Sequence, residues 1–241
     1  MKKAAFTLVE LIVVIGIIAM LATLTTAGAR AAIDHAHAVQ CRNNLRQMAI
    51  AANLYALDNR DYLPPAYARD YNTYTTTSWE TFLWEYDARR SANDSNLHQC
   101  PSFRGNAMWS GDRYTGYNYN SSYLGGVRAI FDGKIEPDSQ LSARLSHVKD
   151  PSNCAMFGDG QYESGANKFM RSPFPGPQDA GAGAALGGTQ GFRHRGATNV
   201  AFVDGSVRAL KDCFTESANP YGKPVKNCGF LSKDNSLYDL D

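Results

Sequence analysis

His194, Asp159 and Asp204 are the residues best suited to chemistry, because together they could hold a cation at one end of a sheet. Asp159 sits between glycines in Gly158-Asp159-Gly160, and Asp204 precedes Gly205. Oxygen-rich loops of this kind can bind Ca²⁺. The competing structural reading gives Asp204 to a turn and His194 to a hydrogen bond with a hairpin. Neither an Asp-x-Asp spacing nor an EF-hand pattern surrounds these acids. The C-terminal acids Asp234, Asp239 and Asp241 form a second candidate cation set. His35 and His37, two residues apart, fall on different helix faces and cannot chelate together. Ser146-His147-Val148-Lys149 has the Ser-x-x-Lys spacing of some acyl-transfer nucleophiles, but no Lys-Thr-Gly accompanies it. Gly-x-Ser-x-Gly, a phosphate-binding glycine loop and His-Glu-x-x-His are absent too, so the chain reads as a protein without catalytic activity and without a cofactor, Ca²⁺ at these acids being the one candidate.

Cysteine is the other reactive type. The five are Cys41, Cys100, Cys154, Cys213 and Cys228. Cys213 and Cys228 would close a short C-terminal loop, a disulfide contributing about 3 kcal/mol in the chain-entropy model. Cys41 with Cys100 is the second pairing, tying a helix to the loop that follows. Cys154, in the apolar run Cys154-Ala155-Met156-Phe157, reads as a buried free thiol. The aromatic group Tyr62, Tyr67, Tyr71, Tyr74, Trp79 and Trp84 could face a ligand such as a glycan. Trp79 belongs rather to the core.

The elements that must carry these residues begin with an unusually long helix. No proline occurs before Pro64, and residues 6–59 are mostly Ala, Leu, Ile and long polar residues. Unbroken, this stretch would extend about 75–80 Å, with Gly16 and Gly28 as its weak points. Its first part, residues 6–28, holds FTLVELIVVIGIIAMLATL, nineteen residues of membrane-spanning length interrupted by the acid Glu10. In its second part, residues 29–59, Cys41, Leu45, Met48, Ala52 and Tyr55 recur at helical spacing and make one apolar face. Arg42, Asn43, Arg46 and Asn53 fall off that face. Residues 60–241 are then a globular domain. Ser78 starts a short helix with Trp79, Phe82, Leu83 and Tyr86 on one side. Residues 142–147 make a helical turn, 154–157 a buried strand, and 171–191 an exposed Gly- and Pro-rich loop. The runs 199–203 and 206–210 around Asp204-Gly205 read as a hairpin with a two-residue turn. A helix laid along an antiparallel sheet is an α+β fold.

Three readings compete for the N-terminus, MKKAAFTLVE. A cleaved signal peptide would use Ala27-Gly28-Ala29, but the apolar run is long and Glu10 spoils its start. A plain signal anchor explains the length and leaves Glu10 without purpose. Third, Lys2-Lys3-Ala4-Ala5-Phe6-Thr7-Leu8-Val9-Glu10 resembles the processing site of type IV pilins and type II secretion pseudopilins. The resemblance implies cleavage by a prepilin peptidase between Ala5 and Phe6, with N-methylation of Phe6. Ala5 stands where that family usually has Gly. It also implies that Glu10 pairs with the Phe6 amine of a neighbouring subunit during assembly. Partners so implied are the peptidase, copies of this chain or other pseudopilins, and the bacterial inner membrane. Lys2 and Lys3 place the N-terminus in the cytoplasm and the globular domain in the periplasm or outside.

A second resemblance rests on short motifs further along the chain. His194, nine residues, then Asp204-Gly205 is similar to the H-X9-DG element of large pseudopilin-like proteins, the hairpin region covering 194–210. Cys41-Arg42-Asn43-Asn44-Leu45, Cys100-Pro101-Ser102, Tyr117-Asn118 and Pro151-Ser152 agree with that layout. The first resemblance implies a structural subunit of a pilus or a secretion pseudopilus, and the second bears on fold and class more than on activity. The alternative is a membrane-tethered monomer that captures a ligand with its aromatic and Gly-rich loops. Charge gives no reason to expect nucleic-acid binding, since 22 basic side chains face 23 acidic ones once Lys2 and Lys3 are removed.

Overall fold

A computed structural model describes residues 7–86, 97–110, 112, 115–135, 141–179, 188–217 and 225–241. Its first element is α1, Leu8–Asp58, a continuous helix of 51 residues passing through Gly16 and Gly28. At about 1.5 Å per residue it spans about 76 Å. Thr7 caps it in a capping box: the Glu10 backbone N–H donates to Thr7 Oγ1 at 3.3 Å, and the Thr7 N–H donates back to Glu10 Oε2 at 2.9 Å. Asn59 closes the other end.

The helix has two unlike halves. From Leu8 to Leu21 its large apolar side chains lie exposed. From Cys41 onward the striped face is buried: Cys41, Leu45, Met48 and Ala52 are fully covered and Tyr55 nearly so. Asn53 was expected off that face. Its amide instead donates to the Val203 carbonyl at 2.9 Å, so it serves the helix–sheet contact at its edge.

After α1 come β1 (Tyr67–Asp70), β2 (Thr75–Ser78) and the short α2 (Trp79–Leu83). They are followed by β3 (Asn118–Asn120), β4 (Val127–Phe131), β5 (Lys134–Ile135) and β6 (Ala155–Gly158). The chain ends with β7 (Phe169–Met170), β8 (Gln190–Gly191), β9 (Thr198–Phe202), β10 (Val207–Leu210) and β11 (Cys228–Gly229). The main sheet has the order β10-β9-β6-β3-β7. It is antiparallel except for β7, which joins β3 in parallel at the edge. A smaller sheet, β2-β1-β4-β5, and the pair β11-β8 complete the domain. A helix packed on an antiparallel-rich sheet is the expected α+β arrangement.

Helix α1 packs on β9, β6 and β10. Alternation along β9 assigns Ala201 to the core under α1 and Val200 and Phe202 to a second core on the opposite face. Leu231 and Tyr238 from the C-terminal segment close that second face. All of β9 is therefore buried, on both of its faces. Trp79 is core, as its neighbours in sequence imply. Tyr74 is exposed and Tyr71 stacks on Phe131 at 4.6 Å.

The hairpin turn differs from expectation. Gly205 has φ +82°, Asp204 does not have positive φ, and the Gly205 N–H donates to Phe202 O at 2.9 Å. Val203 thus joins Asp204 and Gly205 in a three-residue loop with glycine in the left-handed position. The reason is tertiary: Val203 is buried, and its N–H donates to Cys154 O at 3.1 Å rather than pairing with β10. A two-residue turn with both central residues at positive φ does occur, at Arg195 (φ +57°) and Gly196 (φ +80°). It folds His194 and Ala197 together, each donating its N–H to the other's carbonyl, at 3.0 and 3.1 Å. The expected loop 171–191 is described only at its ends. There Arg171 pairs with Asp179 at 2.8 Å and Ser172 is buried, while residues 180–187 lie outside the described residues.

Candidate metal centre under the long helix

Four segments deliver one side chain each to a buried point beneath α1. Cys41 comes from the striped face of the helix. Cys100 comes from the turn that opens Cys100-Pro101-Ser102. Asp159 follows β6, and His194 enters from the Arg195-Gly196 turn ahead of β9. Their ligand atoms all lie within 4.8 Å of one another, and all four residues are buried.

Tight backbone approach makes this convergence feasible. A Cβ on Gly158 would stand 2.5 Å from Gln190 Oε1, and one on Gly160 would stand 2.0 Å from Asn167 O. Glycines on both sides of Asp159 let β6 and its continuation pass between neighbours. Gly116, at φ +96°, leaves room for Cys100, whose Cβ would be 2.7 Å from a Cβ at that position.

The interatomic geometry is compact. Cys41 Sγ lies 3.7 Å from Cys100 Sγ and donates to Asp159 Oδ1 at 3.0 Å. His194 Nε2 is 3.9 Å from Cys100 Sγ and 3.3 Å from Asp159 Oδ2. Around this set, Arg193 Nε donates to Cys100 Sγ at 3.4 Å and Arg193 Nη2 to Asp159 Oδ1 at 3.2 Å. The Asn199 backbone N–H donates to Asp159 Oδ2 at 2.7 Å.

Electrostatics follow from burial and these partners. Burial alone would raise the Asp159 carboxyl, but the Arg193 charge and then the His194 hydrogen bond hold it below the usual carboxylate range. Burial opposes a charged His194, yet its hydrogen bonds to Asp159 and Cys100 push it up to about 9. Of the two thiols, burial works against both thiolates. Cys100 ionises first, because its contact with Cys41 and the Arg193 charge favour its thiolate, and burial pushes Cys41 up.

The residues singled out in the sequence sort clearly. Asp159 and His194 meet, as expected, and Cys41 and Cys100 join them. Asp204 does not. It lies exposed at the far end of β9, about 16 Å of strand from the His194 end, with its carboxylate accepting from the Ser206 N–H at 2.8 Å. Two thiols also make this a poor Ca²⁺ site, since Ca²⁺ takes six to eight oxygens. Neither expected cysteine pair is bonded in the structure: Cys41 Sγ and Cys100 Sγ stand 3.7 Å apart, and Cys213 Sγ contacts the Cys228 carbonyl at 3.4 Å. Among the C-terminal acids, Asp234 accepts from the Ser236 N–H, Asp241 pairs with Lys149, and burial and then the neighbouring Asp241 raise the Asp239 carboxyl, but the three do not bring their oxygens together as a metal-ligating group. Ser146 hydrogen-bonds Asp61 while Lys149 turns to Asp241, so the Ser-x-x-Lys spacing makes no pair. Sequence reasoning missed Arg193 and Asn199, which no motif marks as orienting groups.

At the other end of α1, Ala5 and Phe6 lie outside the described residues, and Glu10 is engaged with Thr7. α1 is long and apolar enough to cross a membrane. Residues 1–26 match the family model described as the prokaryotic N-terminal methylation motif. The chain therefore carries a prepilin-like N-terminus. No curated protein and no solved structure matches the chain. The prepilin-like segment covers the exposed half of α1 up to about the point where its membrane-length run ends, whereas the thiol-bearing cluster belongs to its buried half.

Proposed function

We propose that the chain is a structural prepilin-like subunit, cut by a prepilin peptidase between Ala5 and Phe6 and methylated on Phe6. The mature helix holds it in the bacterial inner membrane with the globular domain outside, until it packs with copies of itself or related subunits into a pilus or a type II secretion pseudopilus. The match of residues 1–26 to the N-terminal methylation motif carries this reading. The two-faced helix supports it: an apolar half with no cover in the single chain needs lipid or neighbouring helices, while the other half is committed to the domain. The H-X9-DG element at His194, Asp204 and Gly205 agrees with a large pseudopilin-like subunit.

Glu10 has a specific place in this reading. In the single chain its carboxylate caps its own helix through Thr7. In the filament it would exchange that bond for the Phe6 amine of a neighbour, neutralising a charge within an apolar bundle. Mass spectrometry of the mature protein tests the proposal. An N-terminus at Phe6 bearing a methyl group supports it, and one at Met1 or near residue 30 sinks it. Glu10→Ala should block assembly. A tethered monomeric binding module would tolerate that change.

A further inference from the structure

We propose that Cys41, Cys100, His194 and Asp159 form a closed four-coordinate site for a divalent transition cation, Zn²⁺ by donor set, which staples the long helix to the globular domain. This inference stands apart from filament assembly, since it rests on the buried half of α1 and would hold for a tethered monomer as well.

The donor set is the first argument. Thiolate, imidazole and carboxylate together suit Zn²⁺, which structural sites bind tetrahedrally through Cys, His and Asp. The second is geometry. In a tetrahedron with Zn–S near 2.3 Å and Zn–N or Zn–O near 2.0 Å, ligand atoms stand about 3.3–3.8 Å apart. Cys41–Cys100 is 3.7 Å and Cys100–His194 3.9 Å, the Asp159 carboxylate meets His194 through Oδ2 at 3.3 Å and Cys41 through Oδ1, and all four donors lie within 4.8 Å of one another. The Cys41–Asp159 edge, 3.0 Å, is short because a thiol proton bridges it, and it would open when that proton leaves. A disulfide would use only two of the four donors and leave the convergence of His194 and Asp159 unexplained.

Third, the outer partners match those of a metal site. Arg193 N–H groups orient both Cys100 Sγ and Asp159 Oδ1, and the Asn199 N–H holds Asp159 Oδ2. Charge also balances. Two thiolates and one carboxylate offset a divalent cation and the Arg193 guanidinium, with His194 neutral. Loading the ion releases two protons to solvent overall and needs no oxidant or reductant. Fourth, a cleft bordered by Asp34, His37, Ser102 and Arg104 reaches Arg193 and His194 and gives the ion a way in.

The consequence is mechanical. Cys41 is the first fully buried residue of the helix stripe, at the point where the exposed half ends. A cation there would fix the angle at which the helix leaves the domain, and so how that domain is carried in any assembly.

The full chain, extracted from membranes in detergent without chelator and under nitrogen, provides the test. Elemental analysis should find about one zinc per chain. Cys41→Ser, Cys100→Ser and His194→Ala should lose it, and Asp204→Asn should keep it. Because a site variant can fail to fold for other reasons, the unaltered chain is also stripped and reloaded with Co²⁺. Intense visible bands with a thiolate-to-Co²⁺ charge-transfer band in the near ultraviolet are expected of a tetrahedral thiolate site. A native chain holding no zinc and giving no such bands would overturn the proposal. So would a non-reduced mass showing a Cys41–Cys100 disulfide, or retention of Ca²⁺ in place of zinc.

Discussion

Cys41 and Asp159, 118 residues apart in sequence, are joined across a 3.0 Å thiol-to-carboxylate hydrogen bond. That bond fastens the helix bearing the prepilin-like N-terminus to the end of the central strand β6. It also brings the buried Asp159 carboxylate next to Arg193, which is itself largely covered. The domain and the helix are therefore held together by polar groups at one end of their contact and by the apolar stripe along the rest.

Asp159→Ala should destabilise the protein by about 3–5 kcal/mol, because it leaves the Arg193 guanidinium buried without its carboxylate. Asp204→Ala, at an exposed turn, should cost well under half of that. Thermal denaturation of the full chain in detergent measures both. Equal losses would show that Arg193 finds another partner.

Leu45→Ala should cost about 2–5 kcal/mol, since Leu45 is fully buried where α1 meets the sheet. Leu57→Ala, on the exposed side of the same helix, should change stability by less than about 0.5 kcal/mol. Chemical denaturation midpoints separate them. A comparable effect at the two positions would mean that the stripe does not dock the helix.

A buried charge network near α2 gives another test. Lys168 pairs with Glu80 and, at 2.9 Å, with Asp112. Lys168→Met would leave both carboxylates buried beside an apolar chain, at a cost of about 3–5 kcal/mol. Adding Glu80→Gln should restore part of the loss. No recovery in the double variant would argue that Asp112 dominates.

Alkaline pH should weaken the fold. Burial pushes the Cys154 thiol up to about 12 from its ordinary 9. A raised thiol contributes stability that is fully present below about pH 9 and is lost as pH rises toward about 12, because the unfolded chain ionises first. The loss approaches about 4 kcal/mol over that window. Cys154→Ala should flatten the dependence of denaturation midpoint on pH between 9 and 12, and an unchanged slope would refute the assignment. At neutral pH the exposed Cys213 should alkylate well before Cys154.

Much of the long helix was legible in the sequence. The absence of proline before Pro64, the high helix propensity and the spacing of Cys41, Leu45, Met48, Ala52 and Tyr55 set its length and its buried face, because these are signals between residues a turn or two apart. The leader and Glu10 identified the prepilin-like N-terminus for the same reason, since a processing signal is read as a short linear motif. Gly205 correctly marked the hairpin. The loop length was misjudged by one residue because the burial of Val203 and its bond to Cys154 O, both tertiary, took that residue out of the β10 pairing.

The cluster could be only half seen. Asp159 and His194 stood out within a trio that also held Asp204, and Cys41 with Cys100 stood out only as the second candidate disulfide. That the two pairs are one site depends on the register of β6 against β9, the Arg195-Gly196 turn and the position at which α1 lies across the sheet. None of these is encoded locally. They result from the packing of elements far apart in the chain, so residues 41, 100, 159 and 194 acquire a common chemistry only once the helix is docked.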